Sequence, residues 1–211
     1  MQRNKLKNYI IRISIYVFGL VLSSFGIALA LKSQLGVSAW DAVFAALGRI
    51  TPFTIGTWSI AIQFTFWSIT ALINKKAQVT CIVPIVIRGI SLDCAKYFIS
   101  FLSIEITTLN SYVLFLSGYV LVAIGIGVYV SVGFPRLPID SLMIAISKLL
   151  SWSINKSRFL IESTGFITAM ILKGDIGIGT IIITLSIAPL ITIVQKIIKQ
   201  VLEKAGITSW K

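Results

Sequence analysis

The chain has 211 residues, 56% of them hydrophobic and 12% charged, with a mean hydropathy of +0.94, a formal net charge of +12 and no histidine. That composition excludes a water-soluble globular domain, and the lack of histidine removes the usual parts for zinc or haem sites and for His-based catalysis. The Lys and Arg residues lie mostly between and beyond apolar runs, the pattern of topology signals facing anionic lipid rather than of a nucleic-acid interface.

The start, MQRNKLKNYIIRISIYVF, joins a basic segment to an apolar run over 9–31. At about twenty residues this run is long for the apolar part of a signal peptide, so it is read as an uncleaved first span. Gly19 and Gly26, seven apart, share one face suited to close helix packing. A turn-forming segment over 34–38 leads into a short piece, Trp40–Ile50. As a helix it would measure roughly 18 Å against a hydrocarbon core of about 30 Å, too short to span. Asp41 falls in its first turn, where free N–H groups and the helix dipole favour a carboxylate, either as a cap alone or as part of a site.

Further spans are predicted over 54–73, carrying Gln63, and 79–101, carrying Arg88 near its middle. Asp93 and Lys96 stand one turn apart toward the outer end of the latter, placed to neutralise each other. Cys81 and Cys94 share this run and are separated by roughly 20 Å of helix, too far to bridge.

The pattern then restarts. A span over 111–132 carries Gly118 and Gly125, a Gly/Pro turn over 133–138 precedes a second short piece, Ile139–Leu150, and Asp140 falls in that piece's first turn. Glu162 lies mid-span in 157–172, and the glycine-rich turn KGDIGIGT leads into the last span, 177–198. The basic segment from Lys196 to Lys211 reads as an end lying on lipid. Of the tryptophans Trp40, Trp58, Trp67, Trp152 and Trp210, most lie near predicted ends, as interface anchors would.

The halves overlay without a gap at a shift of 99 residues, placing Gly19 on Gly118, Gly26 on Gly125, Asp41 on Asp140 and Gln63 on Glu162. The repeat covers 9–101 and 111–198 within a single membrane domain, 1–211. If the short pieces do not span, each copy crosses three times and the second is inverted. Six spans with both termini inside leave only Lys32, Arg49 and Lys173 outside, whereas eight spans would put Lys75 and Lys76 there. The expected fold is an all-α polytopic membrane bundle of about six transmembrane helices plus two half-helices, arranged as two inverted three-span repeats.

Ionisable groups at membrane depth face a partner or a watery cavity. The simplest pairing is Arg88 with Glu162, acting either as a lock between repeats or as a substrate or proton site to which Gln63 contributes. Asp41, Asp140, Arg88, Glu162, Gln63 and Asp93 are thus the candidate substrate- or ion-binding residues, and Gly19, Gly26, Gly118 and Gly125 the candidate packing residues. No catalytic residue, metal site or cofactor is read, and no GxGD or HExxH motif points to an intramembrane enzyme.

The strings LGVSAWDAVFAALGRITPFTIGTWSI, PIDSLMIAISKLL and GDIGIGTIIITLSIAPLI resemble the YczE/YitT group of bacterial integral membrane proteins. The segment Lys76–Thr80 departs from the group, which usually carries glycines there. The resemblance implies a helical bundle in the bacterial cytoplasmic membrane and marks Asp41, Asp140 and Asp93 as family positions.

Two functions fit. One is a small secondary transporter or exporter of an unidentified small molecule; the other is a non-transporting accessory or scaffold protein whose partner beyond the bilayer the sequence does not identify. A cavity beside Arg88 and Glu162 at mid-depth would favour transport, and a solid core would favour the scaffold.

Overall fold

A computed structural model describes residues 2–205 and 207; Trp210 and Lys211 lie outside them. The described chain is helical throughout: α1 (Gln2–Ser33), α2 (Ala39–Ile50), α3 (Ile55–Asn74), α4 (Ile82–Ser100), α5 (Thr108–Ser131), α6 (Pro138–Leu149), α7 (Ile154–Ile171) and α8 (Ile178–Lys204), with a 3-10 turn at Val79–Cys81 leading into α4.

Among the described residues, α1 over Leu6–Ser33, α3, α5 and α8 are long and apolar enough to cross a membrane. With 19 and 18 residues, α4 and α7 have the length of a span, roughly 27–29 Å. They are less apolar because α4 carries Arg88, Asp93 and Lys96, and α7 carries Lys156, Arg158 and Glu162. The 12-residue helices α2 and α6 are too short to cross. They begin at 39 and 138 and end at 50 and 149, the 99-residue spacing seen in the sequence.

The centre of the bundle is the contact between α1 and α5. Half of the most apolar stretch of each is buried, against 11% for α8 at the periphery. The glycines allow this approach: a Cβ added to Gly26 would lie 2.6 Å from the Gly118 carbonyl oxygen, and one added to Gly19 would lie 2.7 Å from that of Gly125. Around this pair, α4 packs on α1 and α8 on α5, while α2 packs on α7 and α6 on α3. Each short helix therefore sits against a long helix of the opposite half.

One pairing has no counterpart. Helix α3 packs along α4, and no comparable contact joins α7 to α8. Gly56 meets the Gly89 backbone directly, and the Asp93 carboxylate accepts hydrogen bonds from Thr54 Oγ1 at 2.6 Å and from the Gly56 amide at 2.8 Å. The residues 99 positions later are Asn155, Ala188, Thr192 and Ser153, so the second half has neither the paired glycines nor the carboxylate.

This corrects the expected Asp93–Lys96 pair. The exposed N–H groups at the start of α3 are a stronger partner for the carboxylate than a lysine that reaches solvent from its own helix. Asp93→Ala is expected to destabilise the protein by about 1–2 kcal/mol, the cost of losing a charged helix-end contact, with Asp93→Asn less damaging. Equilibrium unfolding in detergent would measure this, and an unchanged midpoint for Asp93→Ala would refute it.

Two turns before the short helices are anchored differently. The Gly179 amide donates to the Leu35 carbonyl at 2.8 Å and the Val37 amide to that of Asp175 at 3.3 Å, so the LGVS and GIGT segments meet. Gly36, at φ +111°, admits no side chain there: its Cβ would lie 2.7 Å from the Gly177 nitrogen. Arg49 ties the end of α2 to the same turn through Asp175 Oδ2 at 2.6 Å and the Lys173 carbonyl at 3.1 Å. The turn before α6 is held from α1, where Arg12 Nη2 donates to the Val132 carbonyl at 2.6 Å and the Tyr16 hydroxyl to that of Pro135 at 2.5 Å.

Candidate functional site

Ser38 caps α2. Its hydroxyl oxygen accepts from the Asp41 amide at 3.4 Å, and its hydroxyl donates to Asp41 Oδ2 at 2.6 Å. Asp41 Oδ1 accepts from Arg88 Nη2 at 3.2 Å, with both side chains only 9% exposed. The carboxylate is thus at once part of a helix cap and half of a buried ion pair.

Arg88 therefore pairs with Asp41 and not with Glu162, a correction to the simplest reading of the two mid-span charges. The N-terminus of α2 is carried to the interior, next to α4, and its first-turn carboxylate reaches the guanidinium first. Glu162, on α7, lines the same cavity without meeting Arg88.

Asp140 occupies the equivalent place in α6 in different surroundings. Leu137 stands where Ser38 stands in the first half, Pro138 opens the helix, and no side chain caps it. The Asp140 carboxylate makes no hydrogen bond or ion pair among the described residues, whose ion pairs are Arg49–Asp175 and Arg88–Asp41.

These groups surround a cavity of about 320 Å³. It brings together Asp41, Gln63, Arg88, Asp140 and Glu162, but not Asp93, which stays at the N-terminus of α3. Arg136 and Arg158 also line it. Read from sequence, both were inner-side topology charges, although each stands four residues before a candidate acid, Arg136 before Asp140 and Arg158 before Glu162. Their counterparts in the first half, Val37 and Ser59, are uncharged, so the repeat itself held the signal.

The lining is under-satisfied. Arg136, which is exposed, and the half-buried Asp140, Arg158 and Glu162 are in no ion pair among the described residues. Arg88 Nε and Gln63 Oε1 are buried without a hydrogen-bond partner. Buried polar groups are normally paired, and the cost of leaving them unpaired rises in a low-dielectric interior.

The remaining walls are aromatic and aliphatic. Trp40 is fixed by donating Nε1–H to the Ile161 carbonyl at 3.0 Å, and its indole lies against Gly165, where a Cβ would come 2.7 Å from Nε1. It is an interior wall rather than an interface anchor, because α2 is drawn into the bundle. Ile183, Ile187 and Ile191 of α8 face the cavity, as do the exposed residues Thr184 and Thr192. Among the described residues no three His, Cys, Asp or Glu side chains gather as a metal site. The arrangement can bind and orient a solute; it presents no nucleophile paired with a base.

Residues 10–196 match the sequence profile of a family described as a family of unknown function, DUF6198. An uncharacterised membrane protein, YczE, of Bacillus subtilis (strain 168) is 33% identical over 175 residues, which cover 82% of this chain and 80% of that protein. A second uncharacterised protein of the same organism, YyaS, is 30% identical over 168 residues, 79% of this chain and 84% of its own. An uncharacterised protein of Haemophilus influenzae is 25% identical over 187 residues, 88% of this chain and 84% of its own. No solved structure matches.

Proposed function

The chain belongs to the DUF6198 family of membrane proteins, and from that premise we propose that it is a small secondary transporter or exporter whose substrate site is the cavity between its halves. The observation that carries this reading is the cavity of about 320 Å³ lined by charged groups, of which Asp41 and Arg88 alone form an ion pair with each other among the described residues. A scaffold would be expected to fill its centre with packed apolar side chains, since buried ionisable groups in a membrane are costly unless they serve a solute or ion path.

The same reading includes two inverted three-span halves in the bacterial cytoplasmic membrane with both termini inside, supported by the 99-residue repeat and the distribution of Lys and Arg. It also gives the uneven seams a role. The α3–α4 seam is closed by Gly56, Gly89 and Asp93, while the related α7–α8 seam lacks such contacts. In inverted halves these seams face opposite sides, and exchanging the closed one for the open one would constitute alternating access. Pro189, inside α8 and beside the cavity, leaves one backbone carbonyl of that helix without its helical donor and marks where α8 can bend.

The test is uptake by proteoliposomes from a labelled whole-cell metabolite extract. Protein-dependent accumulation that falls at least tenfold in Glu162→Gln, with folding retained, is the expected result. No protein-dependent uptake of any solute by correctly folded protein would favour the scaffold.

A further inference from the structure

We infer that the cavity takes a zwitterionic solute of amino-acid size bearing an apolar side group. This rests on the reading of the cavity as a ligand site, and it follows from the balance of charge around it. The lining holds the guanidinium groups of Arg88, Arg136 and Arg158 and the carboxylates of Asp41, Asp140 and Glu162. Asp41 and Arg88 satisfy each other at 3.2 Å. Two cations and two anions then remain, presented as two Arg-x-x-x-acid sets, one at the start of α6 and one on α7.

A ligand of one sign would pair with one kind of group and leave the other uncompensated beside it, in a medium where unpaired charge is costly. A zwitterion gives the arginines an anionic group and the acids a cationic one, and enters without net charge. Gln63 adds an uncharged polar side chain to the same lining. The volume, near the lower end for ligand sites, suits a small molecule, and Ile183 and Ile187 offer an apolar surface for its side group.

The experiment is titration calorimetry with thermal-shift measurement on the purified full chain in detergent. L-Leucine, L-phenylalanine and glycine form the zwitterion series; leucinamide keeps only the positive charge and 4-methylpentanoate only the negative. Leucine or phenylalanine is expected to bind more tightly than glycine, and at least about tenfold more tightly than either single-charge analogue, because each analogue forfeits a charge-assisted contact. Arg158→Gln and Glu162→Gln should each weaken binding of the zwitterion by a similar factor. Both variants should keep a cooperative unfolding transition in the unliganded protein, which separates a loss of binding from a loss of fold.

A single-charge analogue that matches leucine and phenylalanine would overturn the inference, as would a folded protein that binds none of the zwitterions. Binding without flux in proteoliposomes would keep the inference and remove transport. Flux confined to a singly charged solute would do the reverse.

Discussion

Arg88→Ala is expected to destabilise the protein by about 3–5 kcal/mol, because it leaves the buried Asp41 carboxylate with the Ser38 hydroxyl as its remaining side-chain partner. Asp41→Ala should cost about as much, since the Arg88 guanidinium, whose Nε already lacks a partner, would then have no anion in contact. Removing both charges together, as in Asp41→Asn with Arg88→Met, should recover most of the loss: the penalty comes from the stranded charge more than from the missing attraction. Unfolding the wild type, the matching single variants Asp41→Asn and Arg88→Met, and the double variant in a denaturing-detergent titration closes the cycle, and strictly additive losses would refute the pairing.

Why this partner was hidden in the sequence has a physical reason. Hydropathy places a residue at a depth along a span, and Arg88 and Glu162 share a depth, so they invite pairing. Depth says nothing about which helix face a residue occupies, nor that α2, a helix too short to cross, has its N-terminal turn next to α4. The apolar runs themselves were legible, because run length is what a bilayer constrains, and the two 12-residue helices fall on the short amphipathic pieces read at Trp40–Ile50 and Ile139–Leu150. Arg136 and Arg158 show a second gap of the same kind. Near the end of an apolar run an arginine usually faces the headgroups, and its position in the sequence does not reveal that it also lines a cavity. Asp93 shows the complementary error: its neighbour on the helix surface, Lys96, is visible in one sequence, whereas the amide of Gly56, 37 residues away, is not.

The seam between α1 and α5 predicts the second large effect. Gly26→Ala would place a methyl carbon 2.6 Å from both the Gly118 carbonyl oxygen and the Val122 nitrogen, and Gly118→Ala would place one 2.6 Å from the Gly26 oxygen. These obstacles are backbone atoms of the partner helix, which no rotamer change can move aside, so the helices must separate along their length. Each alanine variant is expected to cost about 1–3 kcal/mol, and Gly26→Leu more, with loss of the folded protein at moderate temperature. Once one substitution has parted the helices the other has less to disturb, so Gly26→Ala with Gly118→Ala should cost less than the sum of the two. Gly48→Ala is the control: its nearest obstacle, the Ile55 nitrogen at the start of α3, is 3.1 Å away, and its effect should be smaller. The seam also forms part of the cavity wall, since Val122, which Gly26 touches, lines it. Seam variants that still fold should therefore lose uptake or ligand affinity as well as stability, and a Gly26→Ala protein that is destabilised yet binds its solute with unchanged affinity would show that the seam and the cavity are independent.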